Sequence, residues 1–355
     1  MGGTRRAGSA ASSTLATKPR RKSDAVVSEI RIGLIGFGAW TRSAYVPALR
    51  LDGRATVTAV AAPSAETRSR AIAELGPEIA VFASAPELVA AADLDAVTVA
   101  VPDRAHEPVL ADALASGLPL LFEPPVASDR PGVERMLESL RDAPQLVHPD
   151  LELSYLPVVA HLREALDAGA IGRPRTASVR LQAGWGHPPR HELSVVHMLA
   201  GWYLDMLDRA LGRTARRVLV LNGDDAPGLM QSRAVAHLDY GDVLGTFQIN
   251  IGAVGPLRID LEVNGVDGDI VCDPLAGAWR LRTREFPHWR LARQPALEPP
   301  AGWPGVHECL RAFLDAVEQG ATNTGMRDAI IRQHEVGLAA DRSCETGAWE
   351  DVRPA

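Results

Sequence analysis

The stretch IGLIGFGAWT, residues 32–41, decides the fold prediction for this chain. Its first four residues are typical of a buried strand, and Gly36 and Gly38 follow at the spacing of a tight turn that leads into a helix. Glycine at these two positions allows the turn and a close approach of the backbone to a pyrophosphate. Thr41 stands where a third glycine is usual, so we expect looser packing of the helix on its strand.

Strand and helix patterns alternate downstream of this turn. The predicted strands are residues 55–61, 95–101 and 118–122, and the predicted helices are residues 66–75 and 106–116. Alternation at this spacing predicts a parallel, doubly wound sheet over residues 30–150. In that context the glycine turn predicts a dinucleotide-binding Rossmann domain.

The pattern changes in the second half of the chain. A predicted helix at 158–168 is followed by seven strand-like segments with few helices between them, and residues 307–320 are predicted to close the chain as a helix that ends at Gly320. We therefore expect residues 151–355 to form an α/β domain with a large, mostly antiparallel open sheet. One face of that sheet is free for helices or a partner subunit, which predicts a homodimer or tetramer.

Composition is typical of a globular protein and argues against nucleic acid and membranes as partners. The chain is 46% hydrophobic and 23% charged, with a net charge of −7. Residues 1–29 carry six basic and two acidic residues, a net +4, so the rest carries −11 and disfavours nucleic acid as a partner. No apolar run reaches the roughly 20 residues of a membrane span. Three widely spaced cysteines indicate neither disulfides nor zinc, which favours a cytoplasmic location.

The basic segment at residues 1–29 is rich in Ser, Ala, Gly and Thr, and it is predicted to be a disordered tail. The pair Arg5–Arg6 raises the alternative of a twin-arginine export signal. The residues that follow the pair are too polar for such a signal.

The end of the second predicted strand bears on the choice of cofactor. Ala62 stands where an acid would hold the adenosine ribose hydroxyls. Nothing there would repel a 2′-phosphate, and Ser64, Arg68 and Arg70 could bind one. The alternative is that the arginines are solvated helix residues. NADP is therefore predicted ahead of NAD, which stays open.

These features resemble the Gfo/Idh/MocA family, the family of glucose–fructose oxidoreductase and inositol dehydrogenase, over about residues 30–350. The resemblance is carried by GLIGFGAW (33–40), DLDAVTVAVPDRAHEPVLADALASGLPLLFEPPVA (93–127), ALDAGAIGRPRTASVRL (165–181), WYLDMLDRALG (202–212), NGVDGDIVCD (264–273) and FLDAVEQG (313–320). It implies a Rossmann domain followed by an open-sheet domain, a nicotinamide cofactor and a small-molecule substrate.

The glycine turn, the second strand and the resemblance together predict a set of cofactor-binding residues. They are Gly36, Phe37, Gly38, Ala39, Trp40, Thr41, Ser64, Arg68, Pro102, His106, Glu123 and Pro124.

The sequence departs from the family pattern at the strand end FEPPV, residues 122–126. The family's strand ends Glu-Lys-Pro, and its lysine is a charged hydrogen-bond donor beside nicotinamide and substrate. Glu123 and Pro125 are retained here, while Pro124 replaces the lysine. The sequence therefore keeps the backbone bend at residues 123–125, here called the corner, and loses the positive charge of the lysine.

A second family pattern, Asp-x-Gly-x-His-x-x-Asp, is also altered. Aligned on Asp205, the chain has Met198, Ala200 and Trp202 in place of the first Asp, the Gly and the His, and Ser154 replaces a common Arg. Oxidation of an alcohol needs a base for the hydroxyl proton, and a positioned base contributes on the order of 10²–10⁴-fold. We therefore expect no oxidation of inositols or related polyols.

Two functions remain open from the sequence. One is a nicotinamide-dependent oxidoreductase that acts on an imine, enone or activated ketone, with Tyr203, His197 and Glu123 as candidate catalytic residues. Its substrate pocket would include Trp185, Trp202 and Asp205, although Trp202 could simply fill the space of the missing histidine. The alternative is a redox-silent binding or scaffolding protein. The neighbouring histidines, including His187 and His191, match no metal-site spacing, so no metal is predicted.

Overall fold

A computed structural model describes Gly2 and residues 29–186, 192–223, 231–293 and 303–354. The predicted disordered tail, apart from Gly2 and Glu29, lies outside these residues. The described chain forms two β-sheets with helices packed against them.

The first sheet has six parallel strands in the order β3-β2-β1-β4-β5-β6. The strands are β1 (Ile30–Ile35), β2 (Ala55–Ala61), β3 (Ala80–Phe82), β4 (Ala96–Val99), β5 (Leu120–Phe122) and β6 (Val147–Pro149). Strand order reverses between β1 and β4, and ligands of such sheets bind in the crevice outside the carboxyl ends at that point. The predicted doubly wound parallel sheet is confirmed.

The helices of this part are α1 (Val46–Asp52), α2 (Ala65–Leu75), α3 (Ala85–Ala91), α4 (Asp103–Ala115) and α5 (Arg130–Asp142). A π-helical turn, Thr41–Tyr45, joins the glycine turn to α1. Ser64, Ser84 and Asp129 accept hydrogen bonds from backbone N–H groups three residues on, which fixes where α2, α3 and α5 begin. The sequence predicted neither α5 nor β6.

The second sheet has nine strands in the order β14-β13-β12-β11-β7-β10-β9-β8-β15. The strands are β7 (Pro174–Gln182), β8 (Arg217–Asn222), β9 (Arg233–Asp239), β10 (Leu244–Asn250), β11 (Arg258–Gly265), β12 (Gly268–Asp273), β13 (Ala278–Thr283), β14 (Arg290–Arg293) and β15 (Glu350–Asp351). β7 and β10 pair in parallel, and the other neighbours pair antiparallel. The mostly antiparallel sheet is as predicted.

The remaining helices are α6 (Pro157–Asp167), α7 (Val195–Leu211), α8 (Val306–Glu318) and α9 (Met326–Thr346). α6, α7 and α9 bury apolar side chains against one face of the second sheet. α8, the predicted closing helix, packs instead on the first sheet's core and is followed by α9, which was not predicted. Among the described helices, none is long and apolar enough to cross a membrane.

Candidate active site

The glycine turn after β1 has the geometry of a phosphate-binding loop. Gly36 has a φ of 95°, and a Cβ there would overlap the carbonyl oxygen of Ala100, so only glycine fits. A Cβ placed at Gly38 would meet no described atom within 4 Å. The Thr41 hydroxyl donates to the Gly36 carbonyl at 3.1 Å and closes the turn. The open space at Gly38 fits the approach of a pyrophosphate.

The side chains of this loop divide into two groups. Phe37 and Thr41 are buried, so their contribution to a bound dinucleotide is limited to their backbone. Ala39 is exposed, while Trp40 is half-buried and its indole N–H donates to Asp150 at 3.2 Å. Trp40 therefore connects the glycine turn to the end of β6.

The residues predicted to bind the adenosine ribose of the cofactor lie at the carboxyl end of β2. Arg68 donates from Nη1 to the carbonyl oxygens of Ala62 and Pro63, at 2.7 and 2.9 Å. Its guanidinium is thus held at the strand end, whereas Arg70 pairs with Glu66 along α2. Of the two arginines, Arg68 is the one whose guanidinium lies at the end of β2.

Glu123 lies at the carboxyl end of β5, where its N–H donates to the Val99 carbonyl at 2.9 Å. The peptide bond between Pro124 and Pro125 that follows is cis. Burial raises the pKa of Glu123 to about 8, and the charges of Asp150 and Asp103 act in the same direction. The carboxyl group therefore keeps its proton at neutral pH.

Two further acids, Asp150 and Glu152, follow β6 and were missed by the sequence reasoning. Burial raises the pKa of Asp150 to about 6 and the pKa of Glu152 well above its ordinary value. Asp150 Oδ1 and Glu152 Oε2 have no hydrogen-bond partner among the described residues. Asp150 could have been noticed, since like Glu123 it directly follows a parallel strand.

Trp303, from a distant part of the sequence, packs near Asp150 and Glu152, here called the acid cluster. Its indole N–H donates to Glu152 at 3.0 Å, and its ring contacts Trp40 edge to face at 5.4 Å between centroids. No local sequence pattern indicates this contact. The two tryptophans bring apolar surface to the carboxyl end of β6.

No lysine in the body of the chain can replace the one missing at position 124. The two lysines of the sequence, Lys18 and Lys22, both lie in the N-terminal tail. The acids at the ends of β5 and β6 thus have no ammonium partner from this chain outside the tail.

Helix α7 lies against the corner after β5. A Cβ at Gly201 would lie 3.7 Å from Cβ of Pro124, so this face of α7 closely faces the proline. Asp205, on the next turn, accepts from Ser154 at 2.6 Å and from Arg209 at 2.5 Å. Trp202 is half-buried and packs against the core of the second domain, which supports its space-filling alternative.

The other predicted site residues are placed differently. Tyr203 is 4% exposed and stacks on Phe247 of the second sheet, so it faces the core. Burial, and then the charge of Glu152, raises its pKa, which weakens it as an acid further. Trp185 is 49% exposed beyond the end of β7, and Pro102 immediately precedes α4. His187 and His191 lie outside the described residues.

His106 and His197 have both ring nitrogens engaged inside the protein. The His106 nitrogens contact the carbonyl oxygens of Val101, at 2.5 Å, and of Pro125. The His197 nitrogens lie 2.6 Å from Asp341 Oδ2 and 3.0 Å from His334 Nδ1. Neither ring has a nitrogen free for a ligand, so this geometry does not support His197 as a general acid. Among the predicted catalytic residues, Glu123 is half-buried, and its carboxyl group makes no hydrogen bond that the described part of the chain shows.

The described residues contain no group of three or more His, Cys, Asp or Glu side chains arranged to hold a metal ion.

Comparison with known proteins gives two kinds of similarity. Residues 30–151 match the sequence model of the Gfo/Idh/MocA group, described as an oxidoreductase family with an NAD-binding Rossmann fold. Over 148 residues the chain is 34% identical to inositol 2-dehydrogenase 4 of Saccharopolyspora erythraea. This match covers 41% of this chain and 43% of that protein. Over 149 residues it is 32% identical to dTDP-3,4-didehydro-2,6-dideoxy-alpha-D-glucose 3-reductase of Actinomadura kijaniata, with 41% and 44% covered.

Structural similarity extends over both domains. A levoglucosan dehydrogenase solved with NADH and levoglucosan superimposes with a TM-score of 0.78 at 17% identity, covering 91% of this chain and 99% of that one. The curated relatives are thus matched over less than half of their length, while the fold is matched almost throughout. Residues 30–151 of this chain are thus similar in sequence to the Gfo/Idh/MocA oxidoreductase family with its NAD-binding Rossmann fold.

Proposed function

We propose that this protein is a nicotinamide-dependent reductase of an imine, an enone or an activated ketone. The observation that carries the proposal is Glu123: its carboxyl lies at the carboxyl end of β5, beside the cofactor crevice, and its pKa of about 8 keeps it protonated at neutral pH. A protonated carboxyl is a proton donor, and reduction of a carbonyl or imine needs one.

The chemistry divides between the cofactor and this chain. A reduced nicotinamide held at the Gly36–Thr41 loop would supply hydride chemistry to a C=O or C=N group. Glu123 would supply the proton to the oxygen or nitrogen. An alcohol or amine results, and the Glu123 carboxylate regains its proton from water. Asp150 assists by its negative charge, which favours the protonated form of Glu123.

Polyol oxidation is disfavoured by the same geometry. That reaction requires a base that is ready to accept the hydroxyl proton, together with a donor that holds the hydroxyl. Pro124 and Trp202 offer neither, and the chain has no lysine outside residues 1–29. Imines and activated ketones need no such base.

The residues present fit a dinucleotide, and NADP fits better than NAD. The Gly36–Thr41 loop leaves space for the pyrophosphate, and Arg68 holds a guanidinium at the end of β2 where Ala62 replaces the acid. Arg68 would bind the 2′-phosphate of NADP by a charged hydrogen bond.

The open face of the second sheet supports a homo-oligomer, most simply a dimer. Leu221 and Leu244 are 57% and 61% exposed and point to the face opposite α7. A sheet face with exposed leucines is a suitable surface for a second copy of the chain. Light scattering at micromolar concentration tests this, and a monomer would contradict it.

The test of function is an absorbance assay at the reduced-nicotinamide band with NADPH and NADH. The panel contains cyclic imines, enones and α-keto compounds, with inositols and sugars in the oxidative direction. We expect reduction of members of the first group that falls as pH rises above about 8, where Glu123 ionises. Robust polyol oxidation by the unmodified protein would refute the proposal.

A redox-silent ligand-binding protein is the second candidate. It is favoured by the Trp40–Trp303 contact over the acid cluster and by Pro124 in the lysine position. Tight dinucleotide binding in calorimetry with no turnover of any panel member would support this candidate.

A further inference from the structure

One peptide group beside Glu123 is held from both sides by histidines. The carbonyl oxygen of Pro125 contacts His106 Nδ1, and the N–H of Val126, in the same peptide group, donates to His334 Nε2 at 3.3 Å. His106 belongs to α4 of the first domain, whereas His334 belongs to α9, which packs mainly against the second. Both domains thus contribute to the placement of the corner.

A buried chain of hydrogen bonds leads from this peptide to Asp341. His334 Nδ1 lies 3.0 Å from His197 Nε2, and His197 Nδ1 lies 2.6 Å from Asp341 Oδ2. Asp341 Oδ1 accepts the Ser194 N–H at 2.9 Å, at the beginning of α7. All three side chains are at least 97% buried, so water does not compete for these bonds.

The position of each ring proton in this series of hydrogen bonds follows from the end at Val126, whose N–H is a donor. A backbone N–H can only donate, so His334 Nε2 must be the acceptor. Burial lowers the pKa of His334 well below its ordinary value, so the ring is neutral and its proton lies on Nδ1. That proton points at His197 Nε2, which must then accept, and the His197 proton lies on Nδ1 and points at Asp341. No donor faces a donor and no acceptor faces an acceptor.

We propose that Asp341, His197 and His334 are positioning residues that lock the Pro125–Val126 peptide, and with it Glu123 and Pro124, against helix α7. The carboxylate orients His197, His197 orients His334, and His334 presents the lone pair that holds the corner. Of the measurements that follow, only NADPH binding rests on the proposed function. The positions of the ring protons and the exchange of the Val126 amide do not depend on it.

The packing supports this role. His334 and Asp341 lie seven residues apart on one face of α9, with Gly337 between them. A Cβ at Gly337 would overlap the His197 ring, so only glycine admits the imidazole between α7 and α9. The same α7 that carries His197 also faces Pro124 at Gly201. The buried chain and the corner are therefore parts of one contact region.

The first experiment uses the unmodified full-length protein, without substrate. Selective ¹⁵N-histidine labelling and long-range ¹H–¹⁵N spectra identify which ring nitrogens carry protons. We expect both His197 and His334 to be neutral and protonated on Nδ1. A proton on Nε2 of His334 would overturn the proposal, whether or not the protein is a reductase.

The second experiment compares two substitutions of the same residue. Gln at position 334 can still accept the Val126 N–H through its side-chain oxygen, whereas Phe cannot. His334→Phe is expected to speed exchange of the Val126 amide hydrogen about tenfold and to weaken NADPH binding, measured by tryptophan fluorescence. His334→Gln is expected to retain slow exchange and most of the affinity.

The matched control is Glu335→Gln, a buried position on the same helix whose carboxylate pairs with Arg141 outside this chain of bonds. It is expected to leave Val126 exchange unchanged relative to the other amides of the protein. Equal exchange of Val126 in the unmodified protein and in His334→Phe would contradict the proposal. Loss of cofactor binding by every variant, with the expected tautomers intact, would count against the proposed function instead.

Discussion

Replacement of Glu123 by its neutral isostere gives the sharpest physical test of the site. Glu123→Gln keeps the shape of the side chain and removes its ability to ionise. A glutamate whose pKa is raised in the folded state stabilises the fold most at pH values below its unfolded value, and this stabilisation is lost as pH rises through the folded value. The relevant interval runs from 4.5 to about 8.

The size of the effect follows from that interval. At about 1.36 kcal/mol per pH unit, the interval corresponds to an upper bound of ~5 kcal/mol of free energy of unfolding. The unmodified protein is therefore expected to lose up to this amount between pH 4.5 and 8.5 from Glu123 alone. Glu123→Gln loses none of it, so it should be close to the unmodified protein at pH 4.5 and several kcal/mol more stable at pH 8.5.

Urea unfolding at the two pH values measures this difference, with linear extrapolation to zero denaturant. Glu138→Gln, at an exposed position on α5, is the control and should show no pH-dependent difference. Asp150 titrates in both proteins, so comparison of the two removes most of its contribution. If the stability difference between Glu123→Gln and the unmodified protein were the same at both pH values, the pKa of Glu123 would not be raised by folding, and the assignment of a proton donor would fail.

Three further predictions concern the cofactor and the packing around the site. Arg68→Ala should weaken NADPH binding about tenfold to a hundredfold and leave NADH binding nearly unchanged in calorimetry, with Arg70→Ala as a control that affects neither; equal losses for both dinucleotides would contradict a 2′-phosphate contact. Gly38→Leu should abolish binding of both dinucleotides without loss of stability, because its side chain would occupy open space that the pyrophosphate needs. Gly337→Ala should destabilise the fold by about 1–3 kcal/mol in urea unfolding, although alanine favours helices, because its Cβ overlaps the His197 ring; a gain in stability would show that the ring moves freely.

Local patterns predicted most of the first sheet because its central strands, β1, β4 and β5, are buried on both faces. All residues of β4 and β5 are buried, which produces the apolar runs in the sequence, and the glycine turn after β1 carries its own signature. The corner at Glu123 was also predictable, since two consecutive prolines end a strand.

The residues that were missed depend on contacts between distant segments. Trp303 meets Trp40 and Glu152 across most of the sequence, and no periodicity reports such a contact. Helix α9 was missed because it is buried on more than one side and includes buried polar residues such as His334 and Asp341. These residues interrupt the apolar stripe by which a helix is recognised, and their satisfied hydrogen bonds appear only in three dimensions.

The change at position 124 alters the chemistry of its neighbour as well as its own. In the family pattern a lysine follows the glutamate, and an ammonium group that close would favour the ionised carboxylate. Here the neighbour is Pro124, and the charges of Asp150 and Asp103, both negative, raise the pKa of Glu123 in addition to its burial. The same carboxyl group therefore changes from a negative partner of a lysine into a neutral acid with a proton to donate. Under the proposed function, absence of the lysine removes a hydrogen-bond donor that alcohol oxidation would use, and by the same electrostatic effect it leaves Glu123 protonated for reduction.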